Sequence, residues 1–164
     1  METIELKELY SLQAELDKDI ASKHNVSYET THKKRLLALI IEIGELANET
    51  RCFKYWSNKG SSPKEVVIEE YADGLHFLLS LGIPLKVKKT TYELQETEED
   101  IVDLFHKMYH LSTLLVDHYD EARYTLAFQT YLNIAKKLGF SSDDIIHAYK
   151  DKLAINYTRQ NTNY

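Results

Sequence analysis

Apolar residues recur along this chain at the spacing of one helical face, almost from end to end. Leu9, Leu12, Leu16 and Ile20 stand at i, i+3, i+7 and i+11 and predict an amphipathic first helix. A second helix is predicted from near Glu29 to near Trp56. Its centre, Leu36 to Ile43, is apolar nearly all round, the pattern of a buried helix. Ser57 to Pro63 breaks the pattern as a loop. Ser62 and Glu65 then have capping-box spacing with Pro63 at the first helical position, opening a third helix that should end near Gly82, before Pro84. Ile83 to Glu96 is the least helical stretch, either a loop or a short extended excursion. Thr97 and Asp100 open a fourth helix to about Val116. A fifth covers roughly Asp120 to Leu138 and closes at Gly139. Ser141, with Asp144 three residues on, caps a sixth, and the polar residues from Thr158 to Tyr164 are expected to fray. The expectation is an all-α bundle of about six helices, one domain over residues 1–164.

Composition agrees. The chain holds only five Gly and two Pro in 164 residues, too few for a turn-rich β fold. At 43% hydrophobic and 28% charged it has an ordinary globular balance. No apolar run is long enough to span a bilayer, so no membrane role is expected. The N-terminus, Met1-Glu2-Thr3-Ile4-Glu5, is acidic and unlike a signal peptide. The single Cys52 has no partner for an internal disulfide, which points to a reducing cytoplasm. The net charge is −6 and no basic stripe is present, so nucleic acid is not an expected partner. Lys86, Lys88 and Lys89 read as a solvated loop. A phosphorylated small ligand stays open, because a divalent cation can supply the positive charge.

Two acidic pairs interrupt this pattern. Glu42 and Glu45, with Glu49 beyond them, lie on one face of the second helix, and Glu70 and Asp73 repeat the i, i+3 spacing on the third. Both pairs fall in the apolar centres of their helices. Like charges at this spacing cost on the order of 0.2–0.5 kcal/mol, and an unpaired buried carboxylate costs several kcal/mol. No Lys or Arg shares their face from within the same helices. Carboxylates facing each other from two helices make a site for a hard cation that also takes substrate phosphate oxygens, Mg²⁺ above all. The bland alternatives are solvation, or bases from other helices. A di-iron bundle is a poorer fit: Asp73-Gly-Leu-His76 supplies one D-x-x-H, and no second E-x-x-H accompanies it. All-oxygen ligation favours Mg²⁺ or Mn²⁺ over iron.

These residues carry a resemblance. Glu42-x-x-Glu45 followed by Glu70-x-x-Asp73 resembles the signature of the all-α nucleotide pyrophosphohydrolases, which include the MazG-type enzymes and the dimeric dUTPases. The longer string Glu42-Ile-Gly-Glu45-Leu-Ala-Asn-Glu49, then Phe53-Lys-Tyr-Trp56, then Glu70-Tyr-Ala-Asp73-Gly-Leu-His76-Phe77, is similar to the dimeric dUTPase branch of Gram-positive bacteria and their phages. The likeness implies Mg-dependent hydrolysis of dUTP, and of dUDP in some cases, to dUMP and pyrophosphate by a metal-activated water. It implies two or three Mg²⁺ ions, with Mn²⁺ able to substitute, on Glu42, Glu45, Glu70 and Asp73. Glu49 would be a further ligand or the base, and a homodimer is implied.

Base recognition needs a stacking surface and an amide. The resemblance places Phe77 against uracil, His76 near the deoxyribose and Gln13 on the uracil edge, where an amide can donate to a carbonyl and accept from N3–H. Trp56, the only tryptophan, is either a lid over the base or core. Asp17 stands where some relatives carry Asn. Lys152, Asn156 and Arg159 share a helical face, by itself a solvated helix end; the resemblance implies a phosphate clamp there, with Lys54 and Lys59 adding contacts from the loop. Nothing near Cys52 would activate it as a nucleophile. The competing functions are a pyrophosphohydrolase for another nucleotide such as dCTP, a broad MazG-type housecleaner, and a non-catalytic helical interaction module.

Overall fold

The computed structural model describes residues 1–163, so Tyr164, the end of the predicted polar tail, lies outside the described residues. The element order is β1 (Thr3–Glu5), α1 (Lys7–His24), α2 (Tyr28–Thr50), α3 (Lys64–Gly82), β2 (Thr91–Glu93), α4 (Ile101–Leu114), α5 (Glu121–Lys137) and α6 (Ser142–Asn161). The six-helix, all-α expectation holds.

Helix α3 is the axis of the bundle, touching α1, α2, α5 and α6. Its sequence suits that place: from Tyr71 to Gly82 nearly every residue is buried. Gly74 lets α5 approach. A Cβ there would collide with the Tyr131 hydroxyl, which donates to the Tyr71 carbonyl at 2.6 Å. Tyr71 returns the bond to the Tyr131 carbonyl at 2.9 Å, and the two rings stack 4.2 Å apart. Two buried hydroxyls are thereby satisfied inside an apolar core.

Several local expectations are corrected. Helix α2 ends at Thr50, not near Trp56. Arg51 turns left-handed at φ 59, its N–H closing on Ala47 and Asn48. Thr50 Oγ1 bonds back to the Ala47 carbonyl at 2.7 Å and accepts from the Cys52 N–H at 3.3 Å, so side-chain bonds stop the helix without a glycine. Ser62 does not cap α3: Pro63 is the N-cap residue, and the Ser62 hydroxyl donates to Glu49 instead. Held towards that carboxylate by a charge-assisted bond, the hydroxyl oxygen accepts no backbone N–H of α3. Asp100 caps α4 through the Val102 N–H, so that helix begins at Ile101 and not at Thr97. The capping box of Ser141 and Asp144 forms as expected, and α6 runs on to Asn161 through the stretch expected to fray.

The sheet was not anticipated at the N-terminus. β1 pairs antiparallel with β2, Ile4 opposite Tyr92, and both side chains are buried. The excursion between α3 and α4 is therefore extended over Thr91–Glu93, and it ties the start of the chain to the bundle. The centre of α2 is apolar all round yet not buried all round. Leu36, Leu39 and Ile43 are buried, whereas Leu37 and Ile41 are 59% and 52% exposed.

Candidate active site

Helices α2 and α3 lie side by side and bring their acids together. One carboxylate oxygen from each of Glu42, Glu45 and Glu70 falls within 4.8 Å of the others. Glu45 is exposed, while Glu42 and Glu70 are half-buried. Glu42 Oε2 and Glu70 Oε2 are both fully covered and lack any hydrogen-bond partner. Burial, with the charges of Asp73 and Glu45 added, pushes the Glu42 carboxyl up to about 8. The same causes push Glu70 up to about 7, against a smaller pull from Lys152. Without a cation this cluster holds protons that ordinary carboxyls would have lost. Orphaned, crowded oxygens of this kind fit a hard divalent ion, which is the set of donors Mg²⁺ prefers.

Asp73 stands apart from that trio. Lys152 of α6, buried beneath it, donates to Asp73 at 3.0 Å and to Glu69 at 3.1 Å. Burial still leaves Asp73 above the usual carboxylate range, despite the Lys152 bond and charge. Burial alone would lower the Lys152 ammonium, but Asp73 and Glu69 more than reverse that, and it stays charged. Of the alternatives left open by the sequence, a base from another helix is realised for Asp73. The base comes from α6, 79 positions from Asp73 and 83 from Glu69 in sequence. Glu69 was also missed, and its only sequence signal is a third acid beside Glu70.

A cavity of about 710 Å³ opens beside the acids. It is walled by α1, the start of α2, α3 and the end of α6. Glu42 and Asp73 border it, as do Gln13, His76, Phe77, Asn156 and Arg159. Its lining is also partly apolar, with Leu16, Ile20, Val26, Ile83 and the half-buried Phe77. The structure thus joins into one chamber residues from four separate stretches. His76 is buried and stacked on Tyr149 at 4.2 Å. Burial holds its imidazole down at about 4, so the ring is neutral at ordinary pH, with Nδ1 unpartnered.

Glu49, Lys54, Trp56 and Lys59 do not line this chamber. The Glu49 carboxylate accepts from Ser62. Trp56 is 65% exposed and packs edge-on against Tyr55 and Phe53, which excludes its core reading. Lys59 is exposed, and its carbonyl accepts from Arg51. Asp17, which stands where some relatives carry Asn, belongs to a polar group on the cavity wall. Asp17 accepts from Gln13 Nε2 at 2.9 Å, from the Tyr28 hydroxyl at 3.0 Å and from the Ser80 hydroxyl at 2.8 Å.

A helical bundle with an acidic, cation-fitting cluster beside a nucleotide-sized cavity fits a class, the metal-assisted phosphoanhydride hydrolases. A family model described as dUTPase matches residues 5–164, so the chain belongs to the all-α dUTPase family. No curated protein matches it. Membership carries the activity, hydrolysis of dUTP to dUMP, and excludes a purely structural interaction module. Among the described residues no helix is long and apolar enough to cross a membrane.

Proposed function

We propose that Glu42, Glu45 and Glu70, joined by Asp73, hold Mg²⁺ against the triphosphate of dUTP, and that the products are dUMP and pyrophosphate. The observation that carries this is the pair of covered, unpartnered oxygens on Glu42 and Glu70 beside Glu45. Two or three ions suit four carboxylates shared with three phosphates, and Mn²⁺ would serve in the same oxygen shell. Divalent ions supply charge neutralisation on phosphate oxygens and a lowered water pKa.

The chain's own groups do the rest. Lys152 keeps Asp73 in place from below. Asn156 and Arg159 border the cavity near the acids and are suited to the phosphate tail, Arg159 by its bidentate fork. Phe77 offers the stacking face for uracil, Gln13 the amide for its edge, and neutral His76 the neighbour for deoxyribose. Glu49, held by Ser62, is the reserve base. Lys54, Trp56 and Lys59 lie on the loop after α2, and their contribution would require that loop to fold over the substrate. dUDP fits the same chamber with one phosphate fewer. The uncovered apolar side of α2, Leu37 and Ile41, supports a homodimer, and the lone Cys52 supports a cytoplasmic setting.

The test is pyrophosphate release from dUTP with Mg²⁺ and with EDTA, beside a dCTP control. Turnover should vanish with EDTA. Unchanged turnover by a Glu45→Gln variant would remove the metal assignment. Equal rates on dCTP and dUTP would remove the uracil assignment of Gln13 and favour a broader housecleaning enzyme.

A further inference from the structure

The cavity wall carries a part-buried polar chain that the catalytic acids do not use. Tyr149 of α6 donates its hydroxyl to Gln13 Oε1 at 3.0 Å. Gln13 Nε2 donates to Asp17 Oδ1 at 2.9 Å. The other carboxylate oxygen, Oδ2, accepts from Tyr28 and from Ser80. Arg35 braces both of those donors. It gives one bond to Ser80 Oγ at 3.3 Å and another to the Tyr28 carbonyl at 2.8 Å. Gln13, Asp17, Tyr28, Arg35 and Ser80 all border the cavity, whereas Tyr149 stands behind it.

An amide has two chemically opposite ends, and its neighbours decide which faces where. A phenol does not decide, because it can donate or accept. An ionised carboxylate does, because it only accepts. The Gln13 atom facing Asp17 must therefore be the amide nitrogen, and the carbonyl is turned to Tyr149. Gln13 is then left with one amide hydrogen for a ligand, while its oxygen, which accepts from Tyr149, keeps its second lone pair. The amide nitrogen beside Asp17 is fixed as the donor towards the cavity.

We propose that Asp17 is the positioning residue for base selection: by fixing the Gln13 amide as a donor, it makes this wall of the cavity read a pyrimidine carbonyl and disfavour an amino group. Uracil offers a carbonyl at ring position 4, where cytosine offers an amino group. A donor aimed at that edge bonds the first and opposes the second, leaving buried donors unpaired. Asparagine at position 17 would lack this control. Its own amide can turn to meet either end of Gln13, so both orientations become available. The inference rests on Gln13 reading the base.

The test uses nucleoside monophosphates, whose binding is measured apart from metal-dependent turnover. Calorimetric titration of dUMP and dCMP is compared for the wild type, Asp17→Asn and Tyr149→Phe, with a melting curve for each. The wild type should prefer dUMP. Asp17→Asn should shrink the dUMP-to-dCMP preference by about 10-fold, largely through weaker dUMP binding. Tyr149→Phe should leave most of the preference, because Asp17 still sets the amide. A wild-type preference retained in full by a folded Asp17→Asn overturns the inference, even if dUTP turnover stands. So does loss of the preference in Tyr149→Phe alone. A wild type that binds both monophosphates equally overturns it together with the role of Gln13. If Asp17→Asn fails to fold, Gln13→Glu in the folded protein replaces it. That carboxylate offers no donor unless protonated, and it should abolish the preference; a retained preference overturns the inference.

Discussion

Two glutamates set the chemistry at the scale of single residues. Glu42 and Glu70 have pKa values raised to about 8 and about 7 in the folded chain, against an ordinary 4.5. The folded state therefore binds more protons than the unfolded one across that range, and metal-free stability falls as pH rises through it. His76 works in the opposite sense. Its folded value near 4 against 6.5 adds stability as pH rises between those two values, and nothing above them. The window from pH 6.5 to 8 consequently isolates the acids. In EDTA the melting temperature should fall across that window. With saturating Mg²⁺ it should fall less, so the Mg-induced rise grows with pH. A rise independent of pH, read by calorimetry, would show that the ion is held elsewhere. Glu70→Gln should abolish that Mg-dependent rise and cut turnover by at least on the order of 100-fold, since outer partners of metal ligands already cost 10–100-fold. The same variant should be the more stable protein in EDTA at pH 8.

Helix packing at the element scale places these residues. The i, i+3 spacing put Glu42 with Glu45, and Glu70 with Asp73, on their own helical faces, and this was legible in the chain. That α2 and α3 turn those faces towards each other depends on the close packing of α3 against its neighbours. Gly74 is the point where this is most sensitive. Gly74→Ala would drive a methyl into the Tyr131 hydroxyl, which is locked by its bond to Tyr71. Overpacking of this kind costs about 1–3 kcal/mol. Urea unfolding should show that loss, and Tyr131→Phe in the same chain should recover part of it by removing the colliding atom. Element ends were less legible where side chains competed. Ser62 had the right spacing to cap α3 but serves Glu49, and Thr50 with Arg51 ends α2 without Gly or Pro.

At the scale of the whole molecule, the cavity belongs to four elements and to no single motif. Lys152 illustrates this: the resemblance implied a phosphate clamp with Asn156 and Arg159, yet its ion-pair partners are Asp73 and Glu69. Lys152→Met should leave the half-buried Asp73 without its ion-pair partner, with only the weaker pull of Arg159 remaining. Turnover at pH 7 should drop, with partial recovery at higher pH as Asp73 ionises. Leu37 and Ile41 are also a whole-molecule matter, because they are exposed on α2 and the proposed dimer would cover them. Sedimentation should find a dimer, and Leu37→Glu with Ile41→Glu should yield monomers that remain helical. A wild-type monomer at micromolar concentration would remove the dimer.

The amino-acid sequence by itself determined the helical class, the number of helices and the identity of the acids. These follow from local periodicity, and an oxygen-rich pair in an apolar helix is anomalous wherever that helix packs. Family membership confirmed the substrate that the resemblance implied. Only the tertiary structure decided which acids converge, that Asp73 answers to Lys152, and that Asp17 turns the amide of Gln13. Those are contacts between residues far apart in the chain, and their partners are chosen by the packing angles of helices, which no local pattern encodes.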